Sequence, residues 1–509
     1  MRELIRLTVI AAVFVAVVLG WGVGGSIGAV VGLLVGLLLG VVPWRGLPLW
    51  SWLELYLRRY RPIALTAPVT VANDRSGGGI RYQDGVAIGA IQILGKPYRP
   101  TLFTGSTGME TDNTVDVAGL VPAMRQSLGL NLESISVVSC GARRSPIGDY
   151  PRVYDTLIGT PPYAGQRETW LIIRIRAIDN GDALRWRTTV GASTLAAVQR
   201  IALLLRRNGI RAKVATATDI LGLERRLGAN ALEAHNRRWN SVRSDAGWQT
   251  TYAYRPPDIN TETLAQAWAL RVDGIVQNVT LFGDGTATAT VTVRTAQPPA
   301  APPAVVLRAL PGEQAQAVAA NLCGPRRRLR RVAAGQLPQS LIIPVGASGV
   351  LLGKTPDGDR LAMPLGDPAE QCRIHIAAED AIAKRIIIRA AGAGERVTVH
   401  TADLQRWETV RMPDIAVIEH PRPASGTTLS ITDGTVPPAP RPHTVISVGG
   451  PSDTVHPAAD VVVTQTGPEA VEVTAAGRTY DVAVEFFRAE NRYVTRDLAF
   501  LGLEPEMAD

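Results

Sequence analysis

LTVIAAVFVAVVLGWGVGGSIGAVVGLLVGLLLGVVPW, residues 7–44, is a run of 38 positions without a charged side chain. One membrane helix needs about 20 apolar residues, with a minimum of about 17. The run is too long for one comfortable span and about right for two short ones. A break is available at Gly20-Trp21-Gly22-Val23-Gly24-Gly25-Ser26, because glycine lowers helix propensity and permits tight turns. The pattern predicts helices over 4–19 and 27–42. The run is also far too long for a secretory signal, and no small-x-small cleavage site precedes a polar segment.

The flanks give an orientation. Arg2 and Arg6 precede the run, and Arg45, Arg58, Arg59 and Arg61 follow it. Positive residues stay on the cytoplasmic side, so both ends of the run belong there. Two spans meet that condition and one does not. The expectation is a transmembrane hairpin in the plasma (inner) membrane with both termini cytosolic. Gly24, Gly28, Gly32, Gly36 and Gly40 recur every fourth residue on the second helix. They share one face and form a groove in which another helix backbone can approach closely. Either the first helix or another chain could fill it. Trp44, Trp50, Trp52, Tyr56 and Tyr60 cluster beyond the run, as interfacial anchors do, with Arg58 and Arg59 among them.

Taken whole, the 509 residues are 46% apolar and 19% charged, with a formal net charge of +8 and a mean hydropathy of +0.09. That is enough apolar surface to build cores, which excludes disorder as the main state. Three cysteines, Cys140, Cys323 and Cys372, cannot staple so long a chain and point to a reducing compartment. Thr295–Pro303 (TAQPPAAPP) reads as a linker unable to hold a helix or central strand. The expected organisation is a hairpin (1–45), a juxtamembrane aromatic and basic segment (46–62), and two cytosolic α/β or α+β domains (63–294 and 305–509) joined by 295–304.

Within the first domain, 169–178 reads as a strand turning through Asp179-Asn180-Gly181-Asp182 into a return strand at 184–190. Ser193 or Thr194 then caps a helix whose apolar face is Leu195, Val198, Ala202 and Leu205. A strand over 212–215, helices over 219–227 and 261–270, and paired strands over 274–282 and 286–293 follow. In the second domain a helix over 311–322 leads to a basic cluster, Arg326–Arg331. A hairpin over 349–363 precedes a strand–helix–strand unit over 373–401 and strands near 415, 444 and 461.

Motifs of chemistry are scarce. Asp357-Gly358-Asp359 has the form of a glycosyltransferase metal site, but Pro-Asp-Gly is also what a tight turn requires. Cys140 precedes arginines at the wrong offset for a phosphatase loop and reads as a small apolar residue. Ser76-Gly77-Gly78-Gly79 lacks the strand-to-helix setting of a phosphate cradle and reads as a flexible turn. The arginines of 326–331 have no interleaved aromatic residues to stack bases, so no nucleic acid is expected; a solvated linker near the membrane is the plainer reading.

The segment RETWLIIRIRAIDNGDALRWRTTVGASTLAAVQRIALLLRRNGIRAKVATATDI at 167–220, with Asp84–Gly89 and Gly159–Pro161 upstream, resembles EccE. EccE is a membrane component of the ESX (type VII) secretion systems of mycobacteria and related actinobacteria. The likeness is best over 1–295. It implies a structural or accessory subunit, no enzyme and no cofactor, with EccB, EccC and EccD as partners, a mycosin protease associated, and membrane lipid around the hairpin. EccC is the ATPase motor of that complex, with an FtsK-type domain. The unit at 373–401 is similar in layout to the opening of such a domain, yet Ala378-Glu379-Asp380-Ala381-Ile382-Ala383-Lys384-Arg385 stands where a phosphate loop would lie. A degenerate nucleotide-binding module is expected. The alternative from another class is a membrane-tethered glycosyltransferase-like or lipid-modifying enzyme.

Overall fold

The computed structural model describes residues 2–41, 43–44, 47–58, 61–72, 76–185, 187, 189–440, 442–453 and 458–495. Segment α1, Arg2–Val41, is helical except at Gly24 (φ −138°) and Gly25 (φ 57°, ψ −138°), where the chain turns. A side chain at Gly25 would be strained by its positive φ. Beyond the turn the two arms run back along each other. A Cβ added at Gly28 would lie 2.0 Å from the Gly20 carbonyl oxygen, and one at Gly32 would lie 2.2 Å from that of Ala16. Val13–Leu38, of mean hydropathy 2.0, is long and apolar enough to cross a membrane. A short amphipathic helix, α2 (Leu49–Arg58), follows.

The next region is built on an antiparallel sheet. Its strands are β1 (Val69–Ala72), β2 (Gly77–Gln83), β3 (Val86–Gly95), β4 (Ser134–Ala142), β5 (Gln166–Arg176), β6 (Gly247–Tyr254), β7 (Gly274–Leu281) and β8 (Thr286–Thr295), ordered β6-β8-β7-β4-β5-β3-β2-β1. Helix α3 (Tyr150–Ile158) lies between β4 and β5 in the chain. Leu171, Ile173 and Ile175 of β5 face α4 (Val190–Arg207), while Trp170 and Ile172 face α5 (Ala217–Arg226) and α6 (Gln314–Ala320). Both faces are covered, so β5 is apolar on both of its alternating sides.

That double burial explains one error of reading. Strand β5 pairs with β3 and β4, and among the described residues of 184–190 no return strand follows it. The chain at 178–184 is instead a 3₁₀ turn and one helical turn. The cap of α4 is Thr189, whose side chain accepts from the Ala192 N–H; Ser193 and Thr194 donate to the carbonyls one turn back. Gly77–Gly79 is no flexible turn. It opens β2, and a Cβ at Gly79 would lie 2.5 Å from the Ala217 nitrogen, so the missing side chain lets the start of α5 sit on the sheet.

The second sheet holds β9 (Val350–Lys354), β10 (Arg360–Met363), β11 (Cys372–Ala377), β12 (Val397–His400), β13 (Ile415–Ile418), β14 (Leu429–Thr432), β15 (Thr444–Gly449), β16 (Val461–Gly467), β17 (Ala470–Ala475) and β18 (Arg478–Ala483). Its order is β13-β12-β14-β15-β11-β16-β17-β18-β9-β10. The first six strands run parallel. Helix α7 (Asp380–Ala393) carries the chain from β11 past two strands to β12.

The chain does not change sheets at 295–304, where a domain boundary is expected. Leu307–Ala309 pairs with β6, Gly335–Gln336 with β8, and α6 packs on the first sheet. Arg81 of β2 donates to both Glu224 oxygens and to the Cys323 carbonyl, 2.5 Å away, which ties the segment after α6 to the first sheet. In return Thr101–Phe103 pairs with β10 of the second sheet. Pro/Ala composition marks a loop, and a loop can rejoin the sheet it left.

Candidate functional site

The arms of α1 meet through glycine. Gly28 and Gly32 face the carbonyls of Gly20 and Ala16, and a Cβ at Gly36 would lie 2.9 Å from the Val13 Cα. Gly20, four residues before Gly24 but on the first arm and so not among the five glycines expected of the second, supplies the opposite wall. Gly24 stands at the turn with open space around it, because the face that packs begins only after the break. The surroundings of Gly40 lie outside the described residues.

Helix α2 splits by face. Leu53, Tyr56 and Leu57 are exposed, Leu57 by 61%. Trp52, expected as a membrane anchor, is only 8% exposed and packs on Trp239 with ring centroids 5.8 Å apart. Its i,i+3 neighbours point at protein, so it fastens α2 to the body of the molecule. Trp50 is half-buried. The side chains of Trp44 and Arg58 and the whole of Arg59 lie outside the described residues.

Beside α2 the basic cluster forms one wall of a cleft of 370 Å³. Arg326, Arg327, Arg328 and Arg330 face Arg61, Arg237 and Arg238, with Glu313 as the carboxylate in the lining. Glu313 accepts from the Arg330 and Arg331 N–H groups. Burial pushes its carboxyl above the ordinary value, against those hydrogen bonds and the nearby guanidinium charges. Arg330 also pairs with Glu54 of α2. The sequence shows the arginine run but not Trp239, Arg237 or Glu313, which come from distant parts of the chain and carry no local signal.

At the start of α7 the side chains hold one another. Arg406 reaches Asp380 at 2.6 Å, and Lys384 lies 3.5 Å from the same carboxylate. Burial alone would raise the Asp380 carboxyl; Arg406 and Lys384 outweigh it and hold the group low. Arg385 points into the core and donates to the Asn491 side-chain oxygen at 2.8 Å. Asp357-Gly358 is a turn between β9 and β10, closed by the Thr355 N–H donating to the Asp359 carbonyl at 2.8 Å. Cys140 is buried on β4 with Glu168 3.4 Å away. Burial and that carboxylate push its thiol well up, which keeps it protonated and unreactive.

An apolar segment folded on itself, followed by a sheet-rich body with a basic cleft, fits a membrane-anchored protein. Residues 163–254 match the family model for EccE, the type VII ESX secretion system translocon component. The chain is 49% identical over 477 residues to the ESX-2 secretion system protein EccE2 of Mycobacterium tuberculosis (strain CDC 1551 / Oshkosh), covering 89% of each chain. It is 25% identical over 378 residues to the ESX-1 secretion system protein EccE1 of the same organism, covering 69% of this chain and 71% of that one. The ESX-1 protein EccE1 of Mycolicibacterium smegmatis is also 25% identical, over 372 residues, covering 70% of this chain and 73% of that one. The chain belongs to the EccE family.

Proposed function

We propose that this chain is an accessory, non-enzymatic membrane subunit of a type VII secretion system, and that α1 crosses the membrane twice as a closed hairpin. Family membership over nearly the whole chain carries the first part. The glycosyltransferase-like alternative is set aside with it. The second part is supported by the reversal at Gly24–Gly25 and by the backbone-to-backbone approach of the arms. Such an approach suits lipid, where apolar surface gives helices no reason to associate and close packing does. On this reading both termini and both sheets are cytosolic, and Leu53, Tyr56 and Leu57 rest α2 on the membrane surface.

The proposed partners are the EccB, EccC and EccD subunits, with the mycosin protease associated. Because Gly28, Gly32 and Gly36 face the first arm, partners bind the outer faces of the hairpin or the cytosolic body. The strand–helix–strand unit is proposed to bind no nucleotide, since Arg406 already occupies the Asp380 carboxylate at the mouth of α7. Tagged protein extracted in mild detergent from its own host should bring stoichiometric ESX subunits with it. Reporter fusions at residues 1, 62 and 509 should all report cytosol. Absent partners would sink the subunit reading, and a periplasmic signal at 62 alone would replace the hairpin with one span.

A further inference from the structure

The cleft beside α2 is lined mainly by arginine. Seven arginines line its 370 Å³, with Glu313 the one carboxylate in that lining and Glu54 paired with Arg330. Glu313 is already bonded to backbone N–H groups of its own loop. Arg238 donates only to the His235 carbonyl among the described residues. The Arg327 Nε is buried without an acceptor among the described residues, and buried donors normally find one. Arg326 stacks over Phe282 at 4.4 Å. Burial holds its guanidinium below the ordinary value, against the pull of Glu133.

Position narrows the occupant. Leu55 of α2 forms part of the rim, and the exposed face of α2 carries Leu53, Tyr56 and Leu57. Only the seven residues 42–48 separate α1 from α2, so α2 cannot lie far from the end of the apolar segment. We infer that the cleft binds the phosphate headgroup of an anionic phospholipid, held by Arg327, Arg328 and Arg238 while its acyl chains lie along the outer face of α2. Arginine forks suit phosphate oxygens, which accept two donors at once. Among the described residues no aromatic ring lines the cleft to stack a base, so a lipid fits better than a nucleic acid. This inference rests on α1 being in the membrane.

The test uses the full chain in mild detergent. Tryptophan fluorescence, reporting from the stacked Trp52 and Trp239, the latter next in sequence to the cleft-lining Arg238, is followed while dihexanoyl phosphatidylglycerol is added, with dihexanoyl phosphatidylcholine and inorganic phosphate in parallel. Saturable binding of the anionic lipid is expected, at least tenfold tighter than that of the zwitterionic one. Arg327→Gln with Arg328→Gln should weaken it roughly tenfold or more. Arg327→Lys with Arg328→Lys should retain most of it, and Arg207→Gln at the exposed end of α4 should change nothing. Equal affinity for inorganic phosphate would make the ligand a free anion and overturn the lipid assignment. So would displacement of the lipid by a short RNA at lower concentration, or unchanged binding in the folded double glutamine variant. Carbonate extraction of membranes separates the two readings. A wild-type chain released by carbonate would break the membrane reading itself, whereas a retained chain without headgroup preference would break only this inference.

Discussion

The hairpin of α1 and the helix α7 are both packed on every side that matters, by opposite means. In α1 the contact is made by removing side chains, so that Gly28 and Gly32 let carbonyl oxygens in. In α7 it is made by burying charge. Arg389 is fully buried and donates through Nε and Nη2 to the two oxygens of Glu490, at 2.9 and 2.7 Å, while the Tyr150 hydroxyl donates to the same carboxylate at 2.7 Å. Lipid offers a helix nothing to escape from, so contact distance decides. In a water-soluble core the guanidinium must be answered in full, because an unanswered buried charge costs far more than the pair gains.

The sharpest way to break the comparison is at Glu490. Glu490→Ala leaves Arg389 buried and unanswered, and should lower unfolding stability by about 3–5 kcal/mol, read as the shift of a denaturant midpoint. A loss below about 1 kcal/mol would mean that α7 is held by Ile382, Ile386 and their neighbours alone. Next in size is the seam. Gly32→Leu with Gly36→Leu keeps the segment apolar but fills the contact. Membrane abundance should stay normal while spin labels on the two arms move apart and partners are lost from the pull-down; unchanged label distances would reduce the stripe to ordinary glycine content.

Acid should act on the second sheet. His400 is fully buried, with Nδ1 2.9 Å from the His420 carbonyl. Burial holds its folded pKa below the ordinary 6.5, against the pull of that hydrogen bond. The unfolded chain therefore binds the proton first as pH falls. Stability is fully present above about pH 6.5 and declines below it. Asp380, held low, adds a second loss only below its ordinary 3.8. Denaturation midpoints at pH 7 and pH 5 should differ, and His400→Gln should flatten the difference. The smallest effect is expected at Lys384→Ala, which removes a partly exposed ion pair worth at most about 1 kcal/mol. Secretion should continue, and ATP should show no saturable binding to the full chain in detergent with or without the substitution.

Elements with a local signature were legible. The reversal in α1 follows from four glycines within 20–25, and α7 follows from an acidic first turn ahead of an apolar run. The turn at Pro356-Asp357-Gly358 is a turn in the fold. What was hidden depends on distance along the chain. Trp52 reads as a membrane anchor because its partner, Trp239, lies far away in sequence. The false hairpin after β5 came from a polar turn motif that the chain uses to enter a helix. Three-residue strands such as Thr101–Phe103 carry no periodicity long enough to read, and their partners are remote. The cleft combines both cases, with one wall written in a run of arginines and the other scattered.

That exchange of strands has a consequence for the order in which the molecule can be made. Thr101–Phe103 cannot meet β10 until residue 363 has left the ribosome, and the first sheet waits for Leu307–Ala309 and Gly335–Gln336. At ordinary elongation rates the first delay is roughly ten seconds to a minute. During that time Thr101–Phe103 can already pair with Glu110–Thr111 while its other edge is open, the kind of edge that pairs with whatever arrives first. A nascent chain of this design is therefore exposed to mispairing for as long as its own second half is being translated, and a pause in translation anywhere between residues 111 and 350 lengthens that exposure.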